Sequence, residues 1–555
     1  MLATLAATAF GVPGCQEPEG VTKPPPETVP TVVPTTPPTT TTTLGPRLLS
    51  DDELLTRISM DLRGVRPTVE ELDRYAGDPE VLDELVDEFL HDERFLRHLE
   101  DLWSELFLIR IGDYFIDPAA YEGVGIPKSE LMTNVSEEPL RMLSYLADND
   151  LPYSEYVLGN WTVVPPLLAA IWPVDFPEGA TGWTKASYND DRPGVGVLST
   201  NGTWWFKGSM INNRNRGRAN YVSRIFLCDD YLEREVPFVP TDALDSEAAL
   251  GDAINTNPGC TSCHATLDPL ASHFYGWFWD PAEKFVPDMI AYYHTEREFL
   301  WRELTGTPPG YFGKPTGGLV NLGTFVSEDP RYAKCFVKNA WELTTRTDAD
   351  TVEVDLSGID QTFADSNMNI REVFRSIVMS PEYQGYDERF HRKKVAPELL
   401  SSMMEDLTGY AWTLRGDDLV NTRTGYALLA GAADGDYVTV AAPTSTVTSL
   451  LVTERLAESS ARFVARHDAD EPERILFDDD LTFTETTTGP GADKIREQLQ
   501  HLYLRMYAKR VASDDPELEE LVGLWTEVHG VTGDVVLTWS VVLSAMLRDP
   551  DLVMY

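Results

Sequence analysis

Apolar and polar positions alternate with a helical period through most of the chain from Leu48 onward. Leu54, Leu55, Ile58 and Leu62 fall on one helix face, and Ser50-Asp51-Asp52-Glu53 before them is an N-cap with a capping-box acid three residues on. Gly64 is a stop signal, and Pro67-Thr68-Val69-Glu70 opens a second helix. A third is predicted from Val81 to Leu90, with Leu82, Leu85, Val86 and Phe89 facing inward, and a fourth from Phe95 to Leu108. Short turns between them predict an all-α module over 48–113.

The pattern then becomes mixed. Over 114–245 helix signals cover Glu138 to Ala147 and Ser154 to Leu158, whereas the Gly/Asn/Trp-rich stretch from Gly194 to Trp205 reads as loop. An amphipathic helix through Tyr221, Ile225 and Phe226 ends near Cys228. Over 246–348 a helix is predicted from Ser246 to Ile254 and another from Tyr332 to Leu343. A helical connector over 349–387 leads to a C-terminal module over 388–555, with helices at Pro397 to Leu407, Thr446 to Arg466, Lys494 to Ala508, Asp515 to Val528 and Gly533 to Leu547. Leu90 to Phe95, Ser327 to Tyr332, Met379 to Tyr383 and Arg548 to Leu552 share a pattern of Ser or an acid near an aromatic or leucine, which reads as a reused turn between helices. The fold class expected is mainly α, a multi-module helical protein with long irregular loops.

The first residues change the picture of where this fold works. Met1 to Phe10 are small and apolar, and Val12-Pro13-Gly14-Cys15 resembles a bacterial lipoprotein cleavage site, so 1–15 reads as a signal peptide with Cys15 as the lipidated residue. A plain secretory signal is the other reading. Residues 16–47 hold Lys23-Pro24-Pro25-Pro26 and a Pro/Thr tract from Thr35 to Thr43, the composition of a disordered linker. Later stretches lack the run of about 18 apolar residues that a membrane span needs, so acyl chains would supply the anchor. The expected location is the bacterial envelope, in the periplasm or on the outer-membrane surface. The formal net charge is −45, from 45 Lys and Arg against 90 Asp and Glu. So acidic a surface repels nucleic acid and suits either a basic partner or solubility in a salty exterior.

The chemistry concentrates in Cys260-Thr-Ser-Cys263-His264, the C-x-x-C-H attachment signature of a c-type haem. Two thiols at that spacing can each bond one vinyl group of the porphyrin, and the next histidine can ligate the iron axially. A thioredoxin-like pair would need a βαβ context, and a zinc site a second ligand pair at standard spacing. A local disulfide between Cys260 and Cys263 is the remaining alternative. For the sixth iron position Met289, His273 and His294 compete with an open site. Arg214, Arg216 and Arg218 form the one concentrated basic cluster of the segment, fitted either to haem propionates or to surface ion pairs. Phe274, Tyr275, Trp277, Phe278 and Trp279 would suit a haem pocket or a plain core. Of the five cysteines, Cys228 and Cys335 are left over, as one disulfide or as two buried thiols. Asp434 and Asp436 around Gly435 have two positions of a calcium loop without its later ligands.

The blocks from Leu49-Ser50-Asp51-Asp52-Glu53 through Asp61-Leu62-Arg63-Gly64-Val65-Arg66-Pro67-Thr68 to Leu85-Val86-Asp87, then Arg216-Gly217, Leu227-Cys228, Cys260 to His264 with Leu267-Asp268-Pro269-Leu270, and Leu322-Gly323 to Cys335, resemble the planctomycete-type cytochrome-like family. The resemblance spans roughly 48–348. It implies a cytochrome c-like segment with one covalent haem c in the bacterial envelope. The chain departs from the family pattern after Pro269, where Leu-Ala-Ser-His273 replaces glycine, an acid and phenylalanine-aspartate. The expected role is electron transfer to or from an envelope oxidoreductase or a surface protein. The alternatives are a non-redox scaffold or polysaccharide-binding lipoprotein, with Trp204 and Trp205 either exposed for sugar stacking or placed in a core, and a haem peroxidase or oxygenase. Ser-His-Asp sets, phosphate loops and carboxylate pairs that would mark a hydrolase are not evident.

Overall fold

The computed structural model describes residues 47–110, 128–205, 213–235, 246–277, 293–386, 393–414, 417–420, 425–433 and 438–555. The leader, Cys15, the linker up to Pro46, Phe278, Trp279, Met289 and the Asp434–Asp436 stretch lie outside them. The described chain is mainly helical.

Local chemistry fixes the first helices where the spacing predicts them. Helix α1 (Asp51–Arg63) carries the complete capping box of Ser50 and Glu53 and stops at Gly64, whose φ of 71° suits a residue without Cβ. Helix α2 (Val69–Tyr75) repeats the capping box with Thr68 and Glu71. Helix α3 (Pro79–His91) and helix α4 (Glu93–Phe107) meet at Asp92, which ends one and caps the other. The recurring turn pattern has the same origin. Asp92, Asp329, Ser380 and Asp549 each accept a backbone N–H at the start of a helix.

Helix α5 (Lys128–Asp148) runs longer than its apolar pattern predicts and contains Pro139. Pro139 cannot donate to the carbonyl of Val135. That bare carbonyl faces Gly202, where a Cβ would come within 2.4 Å of it. Gly202 is the second residue of a short helix, α6 (Asn201–Trp205), inside the stretch expected to be loop. Its N–H donates to Glu138 Oε2 at 2.6 Å. The close approach needs glycine, and the composition that suggested loop is the composition of tight packing.

A three-stranded antiparallel sheet, β1 (Thr162–Val164), β2 (Val174–Asp175) and β3 (Thr184–Tyr188), has β3 in the centre, with Thr162 opposite Ala186 and Val174 opposite Tyr188. It covers a small apolar cluster around Leu131, Val135, Leu168, Trp172 and Trp205.

Helix α7 (Arg216–Leu227), α8 (Glu247–Thr256), α9 (Pro258–Ala271), α10 (Pro330–Thr345) and α11 (Ile370–Val378) follow. The buried side chains of α7, α9, α10 and α11 join those of α1, α3, α4 and α5 in one core drawn mainly from Leu54 to Tyr383, with Ala508 added. Among the described residues, side chains on both sides of 113, 245 and 348 share this core, and those of 246–348 form no separate cluster. A second core is built by α12 (Pro397–Thr408), α13 (Val447–Asp470), α14 (Pro490–Tyr507), α15 (Pro516–Thr532) and α16 (Val535–Met546). Met60 of α1 reaches into this second core while Leu62 stays in the first.

Candidate haem attachment site

Asn257 ends α8 and caps α9, accepting from the Gly259 N–H at 2.9 Å, and Pro258 takes the first helical position, where its missing N–H costs nothing. The C-x-x-C-H motif thus occupies the first two turns of a helix. Cys260, Cys263, His264 and Leu267 follow one another at helical spacing along one side. Leu267, Leu270 and Ala271 are buried in the main core, while Cys260, Cys263 and His264 are half-buried. Both cysteines are free thiols, so the local disulfide is not formed.

His264 is oriented from its own helix. Its Nδ1 lies 2.9 Å from Asp268 Oδ1, one turn on. Asp268 is in turn gripped by Arg216 at the start of α7, with Nε to Oδ1 at 2.6 Å and the second guanidinium nitrogen to Oδ2 at 2.9 Å. Burial acts to raise the Asp268 carboxyl, but hydrogen bonds from His264 and Arg216 outweigh it and hold the group below its ordinary value. An ionised carboxylate only accepts, so Nδ1 carries a proton, and in the neutral imidazole it is Nε2 that presents the lone pair. Nε2 has no protein partner among the described residues. Metal-ligating histidines are commonly held this way, with a carboxylate on the other ring nitrogen.

The outer side of α9 is braced by the segment after α7. Tyr231 donates its hydroxyl to Thr266 Oγ1 at 2.8 Å. Arg234 lies 3.8 Å from the centre of the Tyr231 ring and forms a two-pronged pair with Asp229 at 2.9 and 2.5 Å. Cys228, next to Asp229, is bonded to Cys335 of α10, with Cα atoms 5.3 Å apart. The disulfide thus anchors the segment that touches the motif helix.

Other residues singled out from the sequence have different places. His273 is buried, with Nδ1 2.9 Å from the Leu270 carbonyl and Nε2 2.6 Å from Thr316 Oγ1. Both ring nitrogens are occupied, and burial pushes the imidazole down to about 4, so it is a neutral core residue and not a sixth ligand here. His294 Nδ1 is 3.0 Å from Glu296 Oε1. Arg216 serves Asp268, and Arg218 is buried with bonds to Asn215 Oδ1 at 3.0 Å and the Trp277 carbonyl at 2.9 Å, so these two serve protein partners. Phe274, Tyr275 and Trp277 are buried, with Phe274 against Trp204 at 4.8 Å and Trp277 against Tyr293 at 5.3 Å. Trp204 and Trp205 are 1% and 6% exposed. Trp204 donates to the Leu198 carbonyl, and Trp205 packs edge-on against Trp172, which removes the exposed rings needed for sugar stacking.

Among the described residues no group of three or more His, Cys, Asp and Glu is arranged to hold a bare metal ion, and no helix is long and apolar enough to cross a membrane. A cleft between α1, α4 and α12, lined by Arg63, Arg94, His98, Asp101 and Asp406, has its arginines tied to acids: Arg63 to Glu71, Arg94 to Asp92 and Asp406. Among the described residues, the motif helix is the one place where free thiols and an unengaged imidazole nitrogen share a face. Two free thiols at the attachment spacing and an oriented imidazole are the donor groups that covalent haem uses. Asp268 and Arg216 had not been singled out as a pair with His264. The position of Asp268 four residues after the histidine, on the same helix face, was the signal that could have found it.

No family model matches the chain, and no curated protein or solved structure is significantly similar to it.

Proposed function

We propose that this chain is an exported, lipid-anchored electron-transfer protein of the planctomycete-type cytochrome-like kind, carrying one covalent haem c. The observation that supports this reading is the grouping of Cys260, Cys263 and the free Nε2 of His264 on one side of α9, with Nδ1 engaged by Asp268. When bound, the haem supplies a one-electron couple. Cys260 and Cys263 would hold it by thioethers. His264 offers Nε2, and Asp268 keeps the proton on Nδ1 so that this lone pair stays available. Leu267, buried in the core behind the motif, would limit water on that side of the site. Cys15 would carry the lipid, the Pro/Thr-rich linker would hold the helical body away from the membrane, and the partner would be an envelope oxidoreductase. The charge of −45 argues against nucleic acid as a partner.

The test is a pyridine haemochrome spectrum of protein made in a host with c-type maturation. The proposal expects a c-type spectrum that survives acid-acetone extraction, because the thioethers are covalent. Extraction of all colour into the solvent would contradict thioether attachment, and colourless protein would contradict haem altogether. Carbon monoxide binding to the reduced protein would shift the reading toward a peroxidase or oxygenase.

A further inference from the structure

The three groups Arg216, Asp268 and His264 form a continuous chain of short polar contacts from the start of α7 to the motif helix. Its geometry is more specific than helix stability requires. An acid four residues after a histidine gives a helix a few tenths of a kcal/mol at most. Here the carboxylate spends one oxygen on both His264 Nδ1, at 2.9 Å, and Arg216 Nε, at 2.6 Å, and the other on the second guanidinium nitrogen at 2.9 Å. Asp268 and Arg216 are both mostly buried, with 15% and 20% of their side chains exposed. The pair is thus screened from water on most sides and held to one orientation.

We infer that Asp268 is a positioning residue that sets the electron-donating power of the His264 imidazole toward a bound iron, and that Arg216 limits how strongly it does so. This rests on the haem reading above. A carboxylate drawing on the Nδ1 proton makes Nε2 more electron-rich, which favours the ferric state and lowers the potential. Arg216 competes for the same carboxylate charge. It also fixes the plane of Asp268, and through it the rotation of the imidazole. Two residues of opposite charge on one carboxylate–imidazole contact therefore have opposite effects on the couple.

The experiment compares the midpoint potentials of the wild-type holoprotein, Asp268→Asn and Arg216→Gln, by spectroelectrochemical titration, with haem content taken from intact mass. The inference expects covalent haem in all three, a higher potential in Asp268→Asn and a lower one in Arg216→Gln. Arg216→Gln keeps the acid on His264, so it remains informative where Asp268→Asn folds poorly. Equal potentials in loaded proteins, or shifts of the same sign, would overturn the inference and leave the pair as a brace between α7 and α9. Wild-type protein without haem would instead defeat the functional reading itself, and the inference with it.

Discussion

The ammonium group of Lys393 donates to both carboxylate oxygens of Asp61, two residues that lie 332 positions apart in the chain. Asp61 also accepts from the hydroxyls of Tyr383, at 2.5 Å, and Tyr555, at 2.9 Å, and Lys393 reaches the Thr344 carbonyl at 3.0 Å. Asp61 and Lys393 are 2% and 5% exposed. Asp61 sits between Met60, which belongs to the C-terminal core, and Leu62, which belongs to the main core. One buried ion pair therefore stands where the two cores meet.

Removing one partner strands the other charge in the interior. Asp61→Asn and Lys393→Met are each expected to cost about 3–5 kcal/mol. The double variant should cost clearly less than the sum, because it leaves no unpaired ion. Urea unfolding of the four proteins measures this coupling. Strictly additive losses would show that the two groups act independently.

The disulfide between Cys228 and Cys335 closes a loop with a sequence separation of 107 residues. Constraining so long a loop restricts the unfolded chain. The Cys228→Ser, Cys335→Ser double variant is expected to lose about 2–4 kcal/mol. An unchanged urea midpoint would mean that the bond does not contribute under those conditions. Hydrogen exchange should also rise in α9, since the anchored segment carries Tyr231 to Thr266.

His273 gives a pH signature with a definite sign. Burial holds the folded imidazole down at about 4, whereas an unfolded histidine takes up a proton near its ordinary value of about 6.5. Between these values the unfolded chain binds more protons, so this residue costs stability as pH falls, by up to about 3 kcal/mol at pH 4. Glu100 and Glu138 are pushed up to about 7 by burial and tilt the overall curve the other way. The useful quantity is therefore the stability of wild type minus that of His273→Gln. It should be flat above pH 7 and fall toward pH 4. A difference that stays constant over that range would show that His273 titrates normally.

The helices whose ends carry their own chemistry were legible in the sequence. Ser50 with Glu53, Gly64, and the Asp and Ser caps that recur through the chain act within one or two turns, so a local pattern suffices. Helix α6 was not legible, because Gly202 owes its place to the Val135 carbonyl that Pro139 leaves bare, a contact across the chain. The Asp61–Lys393 pair was invisible for the same reason. Helices read as parts of different modules share one core, because turns of the kind expected at a domain edge also join helices within one. At the site, the order Cys260, Cys263, His264 was plain, and the helix that presents it follows from Asn257 and Pro258. The role of His273 was not, since only its depth and its contact with Thr316 set it apart from a ligand. The sequence left Trp204 and Trp205 open between exposed rings and core for a related reason, as only the neighbours that bury them decide between the two.

The central claim is the covalent attachment of one haem at Cys260 and Cys263. Intact mass of the purified chain, from a host that loads a control cytochrome c, tests it most directly. The account predicts a polypeptide heavier by one haem, and loss of that mass in the Cys260→Ser, Cys263→Ser double variant. A wild-type chain at its unmodified polypeptide mass would contradict it.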